Sequence, residues 1–317
     1  MTTEIGTDLQ KAASLLNNDE LVAIPTETVY GLAGNALSEK AVAKIYAAKN
    51  RPSFNPLILH IAHLDQIERY AIADKISLQL AQTLMPGPLT LLLPKKASVP
   101  DITTAGSSKV AIRIPQQSLT QSLLSAIDFP LAAPSANPSG YISPTSAQHV
   151  MDGLNGIIPY ILDGGNTTVG LESTICEVAN NRIILHRAGA ITAAELNAAS
   201  GLLVAQSNTH ALPSTPGQLK SHYAPNTPLF MGAIPSLLPK HVGKKIAVIS
   251  MTTEYAGVDN FILAPDRQLS TAASKLFATL RLIDKGQYDV ILSEIFPNEG
   301  VGIAINDRIS RAQFLFK

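Results

Sequence analysis

The chain has 317 residues, 46% hydrophobic and 15% charged, which is enough apolar material for two folded domains. Lys plus Arg equals Asp plus Glu at 24 each, so zero net charge argues against a protein that holds nucleic acid mainly by bulk electrostatics. The single cysteine, Cys176, excludes an intrachain disulfide and a multi-cysteine zinc site. No basic, apolar leader or membrane-length run occurs, so we expect a cytoplasmic protein that does not bind a membrane.

Short apolar runs alternate with helical patterns over the first 200 or so residues. Helix periodicity covers residues 41–49, behind the N-cap candidate Ser38, and residues 118–127. Several of the runs are joined by loops too short for a crossover helix, which favours a mixed sheet and an α/β or α+β fold. The predicted strands are residues 21–25, 57–61, 89–93, 110–114, 131–133, 160–163 and 173–178.

The alternation stops between residues 205 and 228, where polar residues and four prolines indicate a linker. Strand patterns return at residues 245–249 and 290–295. Between them, an apolar helix stripe is formed by Leu269, Ala273, Leu276, Leu280 and Ile283. We therefore predict a first domain at residues 1–205, a linker at 206–228 and a smaller β/α domain at 229–317.

Two short segments carry a set of groups suited to phosphate. Residues 49–57 (KNRPSFNPL) place Lys49 and Arg51 where a helix gives way to a loop. Residues 134–140 (PSANPSG) place Ser135 and Asn137 on a turn of small residues. Such a set can bind phosphate oxygens without a Walker-type loop, although cations in a last helical turn are ordinarily solvated.

Other phosphate and catalytic motifs fail on inspection of their residues. Residues 165–170 have P-loop spacing, but Leu171 and Glu172 follow where Lys and Ser or Thr are required. His60 and His63 have no accompanying cluster of metal ligands. Ser135 lacks the G-x-S-x-G context of an activated nucleophile, so we assign it a binding role.

The two phosphate segments form part of an ordered series that resembles the YrdC/Sua5 family of L-threonylcarbamoyladenylate synthases. The family's KxR and SxN elements correspond to Lys49, Arg51, Ser135 and Asn137. The resemblance implies a YrdC-like mixed, twisted sheet with helices, followed by a smaller Rossmann-like β/α domain of the Sua5 type. The further matching segments are residues 24–32 (IPTETVYGL), 85–90 (MPGPLT), 110–115 (VAIRIP), 170–175 (GLESTI), 186–189 (HRAG) and the linker elements 216–217 (PG) and 222–225 (HYAP).

The resemblance also implies the roles of particular residues. Lys49 and Arg51 are the expected catalytic residues. Arg113 interrupts an apolar strand, and a charge there needs a partner or a ligand; the resemblance assigns it the threonine carboxylate. The metal ligands stay open among Glu27, Glu172 and Asp163. The expected ATP-binding residues are Lys49, Arg51, Asn55, Ser135, Asn137, Ser143, Thr145, Arg187 and Tyr223, with the choice between Ser143 and Thr145 open, and the expected L-threonine-binding residues are Thr28, His60, Arg113 and Ser173.

The activity implied is formation of L-threonylcarbamoyladenylate and pyrophosphate from L-threonine, bicarbonate or carbon dioxide, and ATP with Mg²⁺. A separate tRNA threonylcarbamoyl transferase complex would then complete N6-threonylcarbamoyladenosine in tRNA. We also expect the linker, through His222 and Tyr223, to lie against the mouth of the site. One alternative is a double-stranded RNA or tRNA-binding module without turnover. Another is carbamoyl transfer in hydrogenase maturation, but the acylphosphatase and zinc-finger segments of those proteins do not occur in this sequence.

Overall fold

The structure, a computed structural model, describes residues 2–207 and 223–313. Eleven strands form the first sheet, and each of the seven strands predicted in this region overlaps one of them. The fold-class expectation is confirmed. The strands of this sheet are β1 (Glu4–Gly6), β2 (Val22–Ile24), β3 (Gly31–Asn35), β4 (Ile58–His60), β5 (Leu89–Pro94), β6 (Lys109–Arg113), β7 (Leu131–Ala132), β8 (Tyr160–Leu162), β9 (Thr174–Ala179), β10 (Arg182–Arg187) and β11 (Val204–Gln206).

The sheet is mixed, in the order β1-β8-β2-β3-β7-β4-β6-β5-β9-β10-β11. β4 and β6 run parallel, whereas β7 and β5, on either side of that pair, run antiparallel to them. Most strands are three to six residues long, so a cavity on one face can reach side chains at both ends of a strand. The helices in this part of the chain are α1 (Leu9–Asn17), α2 (Glu39–Lys49), α3 (Ile67–Tyr70), α4 (Lys75–Leu84), α5 (Asp101–Thr104), α6 (Ser118–Ser125), α7 (Ala147–Leu154) and α8 (Ala193–Ser200), with a 3₁₀ turn at Leu64–Gln66.

The two faces of this sheet are covered unequally. On one face, α2, α4, α7 and α8 pack over the largest core cluster. On the other face, α1 and α6 pack on the half of the sheet that contains β2, β3, β7 and β8. Because side chains alternate along a strand, Ile58 and His60 of β4 lie on this second face, as does Arg113, the register partner of His60. The candidate site occupies the part of this second face that α1 and α6 do not cover.

A second, four-stranded sheet is entirely parallel, in the order β12-β15-β13-β14. The stripe predicted from Leu269 to Ile283 lies in its longest helix, α10, whose residues Leu276 and Leu280 are fully buried. Among the helices described, including this 17-residue one, none is long and apolar enough to cross a membrane. The elements are β12 (Leu229–Met231), α9 (Ile234–Leu237), a 3₁₀ turn at Leu238–His241, β13 (Ile246–Ser250), β14 (Asp259–Ile262), α10 (Leu269–Lys285), β15 (Val290–Ser293) and α11 (Gly302–Ala312).

The two sheets share a hydrophobic core. Val29, Ile142 and Leu171 from the first part of the chain pack in one cluster with Leu276 and Phe277 of α10. The predicted boundaries at 1–205, 206–228 and 229–317 stay a prediction. Pro216, Gly217 and His222 of the predicted linker lie outside the described residues.

Polar contacts between the two parts centre on Arg281 of α10, which is buried. Its guanidinium donates to the backbone oxygens of Ile142 (2.5 Å), His149 (3.2 Å) and Ser143 (3.3 Å), and lies 4.9 Å from the centre of the Tyr141 ring. Several donors are thus satisfied at one point, which fixes how α10 sits against the loop at residues 141–145.

Gly170 packs closely against the second part of the chain, because a Cβ at this position would lie 2.5 Å from the backbone oxygen of Ser274 in α10. Gly201, which ends α8, has nearly the same φ (+72° against +73°) but nothing within 4 Å of its Cβ position.

We expect Gly201→Ala to lower the free energy of unfolding by about 1 kcal/mol, because alanine is strained in the left-handed conformation. Gly170→Ala should cost about 1–3 kcal/mol more for overpacking. Urea denaturation of both variants measures the difference, and equal midpoints would contradict the close packing.

Candidate active site

Helix α2 brings the two predicted phosphate-binding cations into the interior. It begins at Ser38, whose hydroxyl accepts the Ala41 N–H (3.3 Å). It ends at Asn50, which is left-handed (φ 49°), and the Arg51 N–H closes the end on Tyr46 O (2.9 Å). Both Lys49 and Arg51 are buried, so they are not the solvated last-turn cations that the ordinary interpretation of their positions suggests.

Neither cation has a carboxylate partner among the described residues. Lys49 donates to the backbone oxygens of Ser135 (2.5 Å) and Asn137. Arg51 donates to those of Asn55 (3.1 Å) and Pro56 (3.0 Å). Burial and the neighbouring guanidinium lower the pKa of Lys49 well below its usual value, and burial lowers the pKa of Arg51 to about 10. Two adjacent buried cations that no described carboxylate neutralises favour the binding of an anion.

Unsatisfied polar atoms lie beside these cations. Both side-chain atoms of the Asn55 amide, and Asn137 Oδ1, are buried without a hydrogen-bond partner among the described residues. The Asn137 amide nitrogen, by contrast, donates to Pro138 O (2.8 Å) and Tyr141 O (2.9 Å), which fixes its orientation. Since buried polar groups are normally hydrogen-bonded, these atoms are available to a polar ligand.

Arg113, at the end of β6, is fixed by three hydrogen bonds. Its guanidinium donates to Glu27 Oε1 (2.7 Å), to the Thr28 hydroxyl (2.8 Å) and, through Nε, to Gly87 O (3.3 Å). Three of the five N–H donors are thereby used, and one remains on each terminal nitrogen. Two donors on two nitrogens are what a carboxylate needs for a pair of hydrogen bonds.

His60 lies beside Arg113 in the parallel register of β4 and β6. Its Nδ1 is 3.2 Å from Ile58 O. Burial and the positive charge of Arg113 lower the pKa of His60 to about 3. The ring is therefore neutral at physiological pH, and it adds hydrogen-bonding capacity to this end of the site without adding charge.

Ser173 and Arg187 form the opposite wall. Arg187, the last residue of β10, donates through Nε to Ser173 O (3.0 Å) and through Nη2 to Ser173 Oγ (3.0 Å). The Ser173 hydroxyl also lies 2.7 Å from that of Thr90 at the start of β5. Burial lowers the pKa of Arg187. These contacts hold one hydroxyl and one cation at the edge where β9 begins and β10 ends.

Glu172 and Tyr223 complete the wall on the side of the second sheet. Glu172 Oε1 accepts from the Ser143 hydroxyl (2.5 Å), and Oε2 accepts from Nε of Arg308 in α11 (2.9 Å). Tyr223 stacks on Phe277 of α10, with 5.4 Å between ring centres. Burial and the charge of Glu172 raise the pKa of Tyr223 to about 12, so its hydroxyl keeps its proton.

One cavity brings most of these side chains together. Of the predicted residues, those that line it are Thr28, Arg51, His60, Arg113, Ser135, Ser173, Arg187 and Tyr223. Lys49, Asn55 and Asn137 stand directly behind this lining, and Ser143 reaches it through Glu172. Thr145, like Ser143, is not itself part of the lining; its hydroxyl is 3.2 Å from His149 Nδ1, whereas that of Ser143 donates to the lining residue Glu172.

The carboxylates considered for magnesium are already hydrogen-bonded. Both oxygens of Glu27 accept from Arg113 and the Gln116 N–H, and both of Glu172 from Ser143 and Arg308. Asp163 Oδ1 accepts from Tyr30 and the Gly165 N–H. Within residues 2–207 and 223–313 no group of three His, Cys, Asp or Glu side chains is arranged to hold a metal ion. The described side chains do not form a dedicated metal site.

Sequence reasoning missed the contribution of α11. Arg308 is a fully buried charge on a helix face shared with Ile305, Ile309 and Ala312. A charged residue within an apolar stripe at i, i+4 spacing is the signal that could have found it, by the same logic that singled out Arg113. Its partner, Glu172, lies 136 residues earlier in the sequence, and no local pattern connects the two.

Comparison with known proteins matches two family models to nearly the whole chain. Residues 14–189 match the Sua5/YciO/YrdC model, described as telomere recombination, and residues 191–313 match a model described as the threonylcarbamoyl-AMP synthase C-terminal domain. The chain belongs to the Sua5/YrdC family. A family member from Bacillus subtilis named threonylcarbamoyl-AMP synthase is 40% identical, over 98% of this chain and 95% of its own.

Archaeal Sua5 proteins are similarly close. A threonylcarbamoyl-AMP synthase from Pyrococcus abyssi is 38% identical, over 95% of this chain and 92% of its own. The crystal structure of P. abyssi Sua5 complexed with L-threonine superposes with a TM-score of 0.90 at 36% identity and covers 99% of this chain and 98% of that one. The likeness therefore extends through both sheets and confirms the family resemblance of the sequence motifs.

Proposed function

We propose that this protein is an L-threonylcarbamoyladenylate synthase, which converts L-threonine, bicarbonate or carbon dioxide, and ATP into threonylcarbamoyl-AMP and pyrophosphate. One observation carries the proposal. A single cavity contains Arg51, backed by Lys49 and without a carboxylate partner among the described residues, and also Arg113, with two donors left for a carboxylate. The names of the full-length relatives and the threonine complex of P. abyssi Sua5 support the same activity.

The cation end of the cavity is suited to the ATP phosphates. Lys49, Arg51 and Arg187 supply positive charge, and Asn55, Ser135 and Asn137 supply short polar groups close to it. Because Lys49, Arg51 and Asn137 are fixed by backbone oxygens before the ligand arrives, little reorganisation is needed when charge develops on the departing pyrophosphate. Ser143 and Tyr223 would border the nucleotide on the side of the second sheet. For this role we favour Ser143 over Thr145.

The other end of the cavity is suited to L-threonine. Arg113 would bind the carboxylate through its two remaining donors, and Thr28, which already accepts from Arg113, would contact the amino acid. Neutral His60 and Ser173 would bind the polar groups of the substrate, including its hydroxyl. Ile58 provides an apolar wall beside them, against which the threonine methyl can pack.

The reaction requires alignment more than a covalent nucleophile. The threonine amine attacks carbon dioxide and loses a proton, which gives a carbamate. A carbamate oxygen then attacks the α-phosphorus of ATP, and the bond from that phosphorus to the bridging oxygen breaks, so that pyrophosphate leaves. The cations fix and neutralise the phosphates, while Arg113 holds the threonine and thereby aims its carbamate. The product is a mixed anhydride that water can hydrolyse.

Mg²⁺ would enter this site with ATP. The described side chains hold no preformed metal site, which suits a cation that keeps several waters and binds mainly to substrate phosphates. When bound, it would neutralise phosphate charge beside Lys49 and Arg51.

We place the protein in the cytoplasm, in keeping with its single buried cysteine and the absence of a membrane-spanning helix among the described residues. There its product would pass to a tRNA threonylcarbamoyl transferase complex, which uses it to modify tRNA.

The direct test is pyrophosphate release from ATP and bicarbonate with L-threonine, L-serine or L-valine. We expect release to require bicarbonate and to favour threonine. Serine lacks one methyl, which is worth about 1–3 kcal/mol in an apolar notch, so its rate should be lower but measurable. Equal rates with valine would contradict the threonine assignment. Salt-dependent RNA binding without any pyrophosphate release would support the RNA-binding alternative instead.

The roles of Lys49 and Arg51 can be tested separately. Lys49→Ala and Arg51→Ala should each lower kcat for pyrophosphate release by about 10² or more, because each removes charge that stabilises the transition state. Lys44→Ala, on the same helix, is the matched control. Its amine pairs with Glu20 near the surface, and its removal should leave kcat unchanged. If Lys49→Ala and Arg51→Ala have the same kcat as the control Lys44→Ala, neither cation stabilises the transition state and both have structural roles only.

A further inference from the structure

Glu172 is a buried carboxylate in the cavity wall whose ion-pair partner comes from the second sheet's part of the chain. Its Oε2 accepts from Nε of Arg308 at 2.9 Å, and the pair is almost fully enclosed, with side-chain exposures of 8% and 0%. Its Oε1 accepts from the Ser143 hydroxyl at 2.5 Å. One carboxylate thus connects α11 to a hydroxyl beside the proposed nucleotide site.

Arg308 uses each guanidinium nitrogen for a different element. Nε binds Glu172, Nη1 binds Asp307 (2.7 Å) and Nη2 binds Ala188 O (2.9 Å). Its Cζ lies 5.2 Å from the centre of the Tyr223 ring, at a distance suited to a cation–π contact. The planar guanidinium therefore fixes the residues after β10, the Tyr223 ring and Glu172 relative to one another.

The charges that face Glu172 come from two elements, and a hydroxyl faces it from a third segment. Burial alone would raise its pKa, but Arg308 of α11, Arg187 of β10 and the Ser143 hydroxyl lower it below its usual value. Tyr223 faces it as well, and its high pKa keeps it uncharged. Asp307 adds negative charge next to Arg308. Removing Arg308 would leave Arg187 as the one cation among those that the structure shows acting on Glu172.

We propose that Arg308 is a positioning residue for the reaction: it holds the Glu172 carboxylate, and through it Ser143 and the Tyr223 side of the wall, in the arrangement that the nucleotide meets. This inference rests on the proposed function. It gives the second sheet's part of the chain a defined task, because the residue that pairs with Glu172 of the wall belongs to its last described helix. Buried ion pairs are costly to break because the remaining charge has no solvent.

The test compares Arg308→Gln and Arg308→Lys with the control Arg281→Gln. Arg281 is also a buried arginine that crosses from the second part of the chain, but it binds backbone oxygens and not Glu172. The first readout is the pH profile of pyrophosphate release. Loss of the cation should raise the pKa of Glu172, so the acid limb of the profile should move to higher pH, by about one pH unit or more, in Arg308→Gln.

Two further results are expected from the same profile. Arg308→Gln should lower kcat at neutral pH by about tenfold to a hundredfold, because the wall is misplaced. Arg308→Lys, which keeps the charge, should restore the acid limb towards the original pH. Arg281→Gln should lower stability and leave the limb where it was. The proposal is overturned if Arg308→Gln and Arg281→Gln give the same limb, or if Arg308→Lys behaves as Arg308→Gln does.

A second readout does not depend on activity. A carboxyl whose pKa is depressed on folding contributes stability above its unfolded pKa, and this contribution is lost as the pH falls. The stability deficit of Arg308→Gln in urea should therefore shrink as the pH falls below about 4.5, the ordinary value for Glu, while that of Arg281→Gln stays constant. If the unaltered protein releases no pyrophosphate, the proposed function fails, and a pH-independent deficit would separately overturn the role of Arg308.

Discussion

Two buried cations that have no carboxylate partner in the described part of the chain determine what this site can bind. Arg51 donates to backbone oxygens of the loop that follows α2, and Lys49 donates to those of the loop that follows β7. Carbonyl dipoles orient a buried cation but do not neutralise it, and the lowered pKa values of both groups show what burial costs. An anion that enters the cavity supplies the missing charge. Arg113 and Arg308 differ, because Glu27 and Glu172 neutralise them in the folded chain. The cavity therefore separates cations available to phosphate from cations that position other groups.

The fold explains why these groups meet. The strands at the site are short and of mixed direction, so His60, Arg113 and Arg187 at strand ends lie within one cavity with Ser135, which follows the antiparallel strand β7. Helices α1 and α6 cover the other half of that face, which leaves this half for the ligands. On its remaining side, the wall is completed by Tyr223 and by Glu172, whose carboxylate pairs with Arg308 of α11. The second sheet is thus joined to the site by a shared core and by an ion pair.

The sequence predicts those features that have a local cause. The strands rich in apolar residues and the α2 helix with its Ser38 cap are found where their patterns place them. Strand β3 was not predicted, because Gly31 and Gly34 are unusual in strands; here a Cβ at Gly34 would lie 3.1–3.2 Å from Leu21 and Ile45. The family motifs bring eight of the predicted side chains to one cavity. The motifs could not predict contacts between residues that are far apart in the sequence. These are the pairing of Glu27 and Glu172 with distant arginines and the contribution of α11. Such pairings arise from tertiary packing, and no periodic pattern in the sequence indicates them.

The central claim, that the buried cations form a site for the phosphate chain of the nucleotide, is tested most directly by ligand-dependent thermal unfolding. A ligand that binds only the folded chain raises its unfolding temperature by an amount that grows with the logarithm of the ratio of its concentration to its dissociation constant. The measurement compares ATP, tripolyphosphate and adenosine at equal concentrations, with sulfate at the same ionic strength as the control for charge screening. If the cations bind the phosphate chain, ATP and tripolyphosphate will raise the unfolding temperature, and adenosine and sulfate will have much smaller effects. Stabilisation by adenosine equal to that by ATP, with none by tripolyphosphate, would contradict the central claim.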